Sequence, residues 1–334
     1  MHAVVRYAFW IRQYTNDNAV PSQNFNDLPE VQEILDHHLD LEQDPSSAIR
    51  AVYGQEFPYL FNLASEWTLH NIDKIFPESF EFQSIFEAAW EGYIFNEVYT
   101  NIFSVLRKKY NYAVEQLSVI NSTSRQQLKV VELVVLHLLN LFWWKIIELG
   151  ESDSLLEKFF ANASVSAREE FIRKIGWRLL YGNFEVNEEL RQRLQKLLEW
   201  RINQVKELNI SVEQVSDLKY FSWWFASGKF DNQWAIAKLV DVFKLLGTVH
   251  HCNNFFEHLE ILASTLPQDV VQCLCLMADS NQANKWFVSC PTDCHPGILR
   301  AILQSEDKVA QKIAKDLINR LLARNLGDYR ELIS

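Results

Sequence analysis

Side chains able to ligate a metal gather in one part of the chain. His250, His251, Cys252 and His258 are followed by Cys273 and Cys275, then by Cys290-x3-Cys294-His295. Zinc takes four thiolate or imidazole ligands in a tetrahedron, usually presented as two close pairs. Cys290, Cys294 and His295 supply one loose pair and a spare, and nothing upstream provides a matching second pair. Cys273 and Cys275 lie two apart in a helical stretch and so point to different faces. The expectation is small buried hydrophobes and surface histidines, with no metal and no cofactor; a metal-binding protein or small all-helical enzyme with a site at 250–258 and 290–295 is the alternative.

Phosphate and acyl chemistry find less support. Gly228-Lys229 resembles the end of a phosphate loop, but that loop needs an earlier glycine, a hydroxyl after the lysine and a strand before it. Here Phe230 follows the lysine, and the flanks read as helix. No G-x-S-x-G elbow occurs, and the cysteine–histidine neighbours at 251–252 and 294–295 are adjacent in sequence, which does not aim a base at a thiol. Glu169-Glu170 and Glu188-Glu189 fall in first turns of helices, where the helix dipole favours acids. The reading is therefore not an enzyme. Arg168, Arg173, Lys174, Arg178, Arg191, Arg193 and Arg201 form the one basic cluster to weigh for nucleic acid, against a formal net charge of −11. Nucleic-acid binding by a helical repeat is kept as a second alternative, below a protein partner.

Tryptophan pairs suggest recognition instead. In Trp143-Trp144 and Trp223-Trp224 the neighbours diverge by about 100° on a helix, so at most one of each pair can enter a core fully. Tryptophan is enriched at binding hot spots. Trp223, Trp224 and Lys229 are taken as the candidate interaction residues.

The elements that must position these residues are helices. Glycine and proline number only 9 and 8 among 334 residues, while 48% are apolar and 13% aromatic, including 11 Trp and 22 Phe. Such a chain can bury a large core through long helices with short connections. Trp177 is followed by Gly182-Asn183-Phe184-Glu185, and Trp223 by Gly228-Lys229-Phe230-Asp231, 46 residues on. That spacing matches the roughly 40–47 residue period of HEAT and armadillo repeats. The expected fold is all-α: an irregular HEAT/armadillo-like array of about twelve helices over 1–334, with a weak seam near 118–126.

Particular elements follow from capping and periodicity. Pro29-Glu30 opens a helix to Leu39; Ala48–Phe57 follows, with Pro58 ending it or starting its successor. Phe82 to Tyr112 is aromatic and helical. Val130–Leu149 has bilayer-spanning length but carries Glu132, His137, Asn140, Lys145 and Glu148, which marks a buried helix with one polar stripe rather than a membrane segment. Asn187 can cap Glu188–Leu208. The first helix, Ala3–Tyr14, starts without a cap, as in a piece of a longer polypeptide. Five cysteines, confined between Cys252 and Cys294, and the absence of a signal peptide fit a reducing cytoplasm.

Three stretches carry a resemblance. They are Glu30-Val31…Ile34-Leu35…His38-Leu39-Asp40 with Ser46…Ile49-Arg50-Ala51-Val52-Tyr53-Gly54…Phe57-Pro58; Ser222-Trp223-Trp224-Phe225…Gly228-Lys229-Phe230-Asp231…Trp234; and Ala314…Leu317-Ile318-Asn319-Arg320-Leu321…Leu326-Gly327…Arg330-Glu331-Leu332. Together they resemble the C-terminal helical regions of large bacterial multidomain proteins, some similar to anti-phage defence proteins of the STAND NTPase type. The resemblance covers most of the chain through turn and packing residues. It implies a non-catalytic protein-interaction or ligand-sensing module, part of or partner to a larger bacterial NTPase or effector, and it brings no catalytic residue.

Overall fold

The computed structural model describes residues 1–15, 24–118, 124–208, 212–250, 253–288 and 294–332, and every regular element among them is helical. The chain forms two compact units, Met1–Ser164 and Val165–Ser334. The first holds α1 (His2–Thr15), α2 (Pro29–Leu39), α3 (Ser47–Leu63), α4 (Ser65–His70), α5 (Ile72–Ile75), α6 (Gln83–Ile94), α7 (Thr100–Glu115), α8 (Arg125–Trp143) and α9 (Leu155–Asn162). The second holds α10 (Val165–Tyr181), α11 (Glu188–Leu208), α12 (Phe221–Ala226), α13 (Asn232–Leu246), α14 (Asn253–Ala263), α15 (Pro267–Asp279), α16 (Ala283–Phe287), α17 (Cys294–Gln304) and α18 (Lys308–Ala323). Eighteen α-helices, rather than about twelve, occupy the described residues. The excess arises where a helix breaks without glycine or proline, as at Ala64 between α3 and α4 and at Asn71 between α4 and α5. The polar link at 118–126 lies inside the first unit, and its residues 119–123 fall outside the described ones.

In the first unit α3 and α6 cross backbone to backbone. A Cβ on Gly54 would sit 1.8 Å from the Ala89 carbonyl oxygen, and one on Gly92 would sit 2.0 Å from that of Ala51. Helix α3 also runs through Pro58 to Leu63 rather than ending there. Proline removes one intrahelical hydrogen bond, and Pro58 is itself buried in the packed interior with Phe57 and Leu60, where tertiary contact outweighs the lost bond.

Beside this crossing lies a buried polar relay. His137 Nε2 faces the Asn96 carbonyl oxygen at 2.9 Å, and the Tyr110 hydroxyl meets His137 Nδ1 at 2.7 Å and the Tyr93 hydroxyl at 3.2 Å. A carbonyl can only accept, so Nε2 carries the proton, Nδ1 accepts from Tyr110, and Tyr93 donates to Tyr110. Burial pushes the Tyr93 hydroxyl up to about 12 and the His137 imidazole down to about 4. His137 is thus a core residue, and the polar stripe of this helix is in part buried. Its helix also stops earlier than the apolar run suggests. Lys145 takes a left-handed φ of 62°, while Ile146 N–H reaches Leu141 O at 2.8 Å and Lys145 N–H reaches Phe142 O at 3.1 Å. This is a Schellman terminus with lysine where glycine is usual. No helix among the described residues is long and apolar enough to cross a membrane.

In the second unit α10 packs on α12, α12 on α14 and α14 on α17; alongside them α13 packs on α15 and α15 on α18. Helix α11 is tied to α13 by Trp234 Nε1–H donating to Glu199 Oε1 at 2.8 Å. Between α10, α11 and the turn at 212–220 sits a buried ion pair. Arg201 donates from Nε and Nη2 to the two Asp217 oxygens at 2.9 and 3.1 Å, with both side chains almost wholly excluded from water.

Candidate interaction surface

The two W-x4-G-x-F-[E/D] segments are physically joined. Lys229, in the second, donates its ammonium to the carbonyls of Gly182 at 2.8 Å and Phe184 at 3.0 Å in the first. The same ammonium lies 4.1 Å from the centre of the Phe184 ring, a cation–π contact. Arg191 returns the link, donating from Nε to the Lys229 carbonyl and from Nη2 to Val186 O, both at 3.1 Å, while Nη1 pairs with Glu188. Lys229 is therefore a brace between turns, and desolvation draws its pKa below the usual lysine value.

Each turn has its own reason for glycine. At Gly182 a Cβ would lie 2.1 Å from the folded-back Phe184 ring. Gly228 instead adopts φ 64°, which side-chain-bearing residues avoid. The copies part company at the next helix start. Asp231 caps α13 by accepting from Trp234 N–H at 2.9 Å, whereas α11 is capped by Asn187, which accepts from Leu190 N–H at 2.8 Å.

The three candidate residues have different surroundings. Trp224 is fully buried, donates to Ile172 O at 3.0 Å and stacks on Phe230. Gly176 makes the space: a Cβ there would meet Trp223 Cβ at 2.8 Å and Trp224 Cδ1 at 3.1 Å. Trp223 is half-buried and meets Tyr220 edge-on, and His250 stacks on Tyr220 at 4.8 Å. So the pair divides as adjacent helix positions must, with Trp224 in the core and Trp223 at its edge.

The most exposed aromatics of this region are Trp177 and Tyr181, which retain 53% and 59% of their accessible surface and touch at 5.8 Å between ring centres. They stand one turn apart on α10, Trp177 about 200° around the helix from the buried Ile175 and Tyr181 about 200° from the buried Leu179. That placement was readable from the helical wheel once Phe171, Ile175 and Leu179 had been taken as the inner face. Phe184, next along the chain, lines an open cleft of about 610 Å³ with Glu188, Arg191, Lys229 and Asp231. Charges of both signs thus border one aromatic edge.

The other candidate chemistries separate in space. Among the described residues no group of three His, Cys, Asp or Glu could hold a metal ion. His251, Cys252 and Cys290 lie outside the described residues, as does the side chain of Cys294. His295 is buried against Phe256 and Phe287. Cys273 is buried with its thiol pushed far up by desolvation, and Cys275 meets Arg320 at 3.3 Å. The arginine cluster is largely turned inward or paired. Arg201 binds Asp217, Arg168 donates to Gln214 O at 2.9 Å, and Arg173 and Lys174 both pair with Glu170.

Compared with known proteins, the chain matches no family model, no curated protein and no solved structure.

Proposed function

We propose that this chain is a non-catalytic recognition module, a HEAT/armadillo-like helical array that binds a protein partner through the α10 edge of its second unit. The observation that carries this reading is the exposed Trp177–Tyr181 pair on a helix whose opposite face is fully packed. Large exposed aromatics clustered on a fixed backbone are the side chains from which interface hot spots are built. Lys229 and Arg191 hold the neighbouring turns together through their carbonyls, so the edge is organised before a partner arrives. Trp224 supports α10 from beneath, through its bond to Ile172 O and its fit against Gly176. The successive packing α10 on α12 on α14 on α17 supports the array reading. A bacterial cytoplasmic NTPase or effector, in some cases of antiviral defence, is the partner class that the resemblance suggests.

The test is affinity purification of the tagged chain from its own host, wild type against Trp177→Ala/Tyr181→Ala. Both residues are exposed, so the thermal melt should stay within the few tenths of a kcal/mol typical of surface changes. A retained partner should weaken by about thirtyfold or more, the effect of losing a hot spot of about 2 kcal/mol. Undiminished retention by a folded double variant would reject this surface.

A further inference from the structure

The geometry points to a small-molecule site in the first unit, independent of the surface on α10: a pocket between α6, the end of α7 and α8 that binds an organic monocation with an apolar body. The pocket encloses about 330 Å³, within the range of small-ligand sites. Its inner wall is apolar, with Phe86, Trp90, Ala113 and Val134 all almost wholly buried. Phe86 and Trp90 lie parallel, 6.0 Å apart.

The charged groups at the same pocket have one sign. Positions 83, 86, 87, 90 and 91 all line it, because three- and four-residue steps bring them to one face of α6. Glu87 and Glu91 are therefore presented beside the two aromatic rings, and no lysine or arginine lines the pocket. Each carboxylate accepts from a neutral amide: Glu87 from Gln83 at 3.0 Å, and Glu91 from Gln126. Among the described residues neither forms an ion pair. Two carboxylates without a cationic partner supply Coulombic attraction for a cation, and the apolar wall beside them receives the apolar body. An anion would meet repulsion from both. The wall is also backed from behind, since α6 turns its other side to the glycine crossing with α3.

Three probes sharing one body separate charge from shape: 4-phenylbutylamine, 4-phenylbutanol and 4-phenylbutyrate, titrated into the whole chain by calorimetry. The amine should bind about tenfold or more tighter than the alcohol, equivalent to 1.4 kcal/mol, and the carboxylate should bind weakest. Glu87→Gln/Glu91→Gln should bring the amine to the level of the alcohol without changing the alcohol. Val130→Phe, which fills the pocket from α8, should abolish binding of both, with circular dichroism reporting the fold of each variant. If Val130→Phe unfolds the chain, Ala113→Met fills the same space from α7. Equal binding of the three probes, amine binding that survives a folded pocket-filled variant, or no amine binding at millimolar concentration would each overturn the assignment.

Discussion

Gly92→Ala tests the central packing claim because two physical effects predict opposite signs. In an isolated helix the change would stabilise by about 1 kcal/mol, since glycine is the freer residue in the unfolded chain. In this fold the new methyl would lie 2.0 Å from the Ala51 carbonyl oxygen and 2.9 Å from its carbon, against an ordinary contact of 3.4 Å or more. The shortfall is roughly 1.4 Å, and both obstructing atoms are backbone, so no rotamer change relieves it. The helices must part, loosening contacts around Phe57, Phe76 and Tyr93, whose rings meet across this core. Overpacking costs about 1–3 kcal/mol where side chains can adjust, and more where they cannot. A net loss of about 3 kcal/mol is expected, lowering the melting point of a unit this size by about 6–12 °C. Circular dichroism with heat and urea measures it. Gly54→Ala should behave alike, and the double variant should lose less than the sum, since the first methyl already parts the helices. A Gly92→Ala protein as stable as wild type, or more so, would refute the close crossing.

Three further outcomes follow from local geometry. Asp217→Asn leaves the Arg201 guanidinium buried opposite a neutral group and should destabilise by about 3–5 kcal/mol in urea, whereas Arg201→Met/Asp217→Leu should lose less, because both members of the pair go together and the remaining cost falls on the neighbouring buried Arg168, which Asp217 also attracts. His137 is held at about 4 by burial, below its ordinary 6.5, so its contribution is complete above pH 6.5 and is lost as pH falls toward 4. At about 1.4 kcal/mol per pH unit this removes about 3 kcal/mol, and His137→Gln should flatten that part of the stability–pH curve relative to wild type. Lys145→Gly relieves a left-handed lysine and should raise stability by about 1 kcal/mol, measured by the same urea titration.

The amino-acid sequence shows that the chain is helical, because scarce glycine and proline and the three- and four-residue apolar steps are local signals. It also located the cap at Asn187, though not the one at Asp231, and required Trp223 and Trp224 to part, since one helix turn fixes both. It could not count the helices, because breaks such as Ala64 and Asn71 are imposed by packing and carry no residue signal. Nor could it say that Pro58 is tolerated inside α3, that Gly54 meets Ala89 and Gly92 meets Ala51, or that His137 bonds to Tyr110. Those depend on which distant backbone approaches. Lys229 shows the division most plainly. Its cationic character and place in a repeated turn were visible, but its partners, Gly182 and Phe184, lie more than forty residues away. That its charge braces two turns follows from how the chain brings those turns together, which no local pattern encodes.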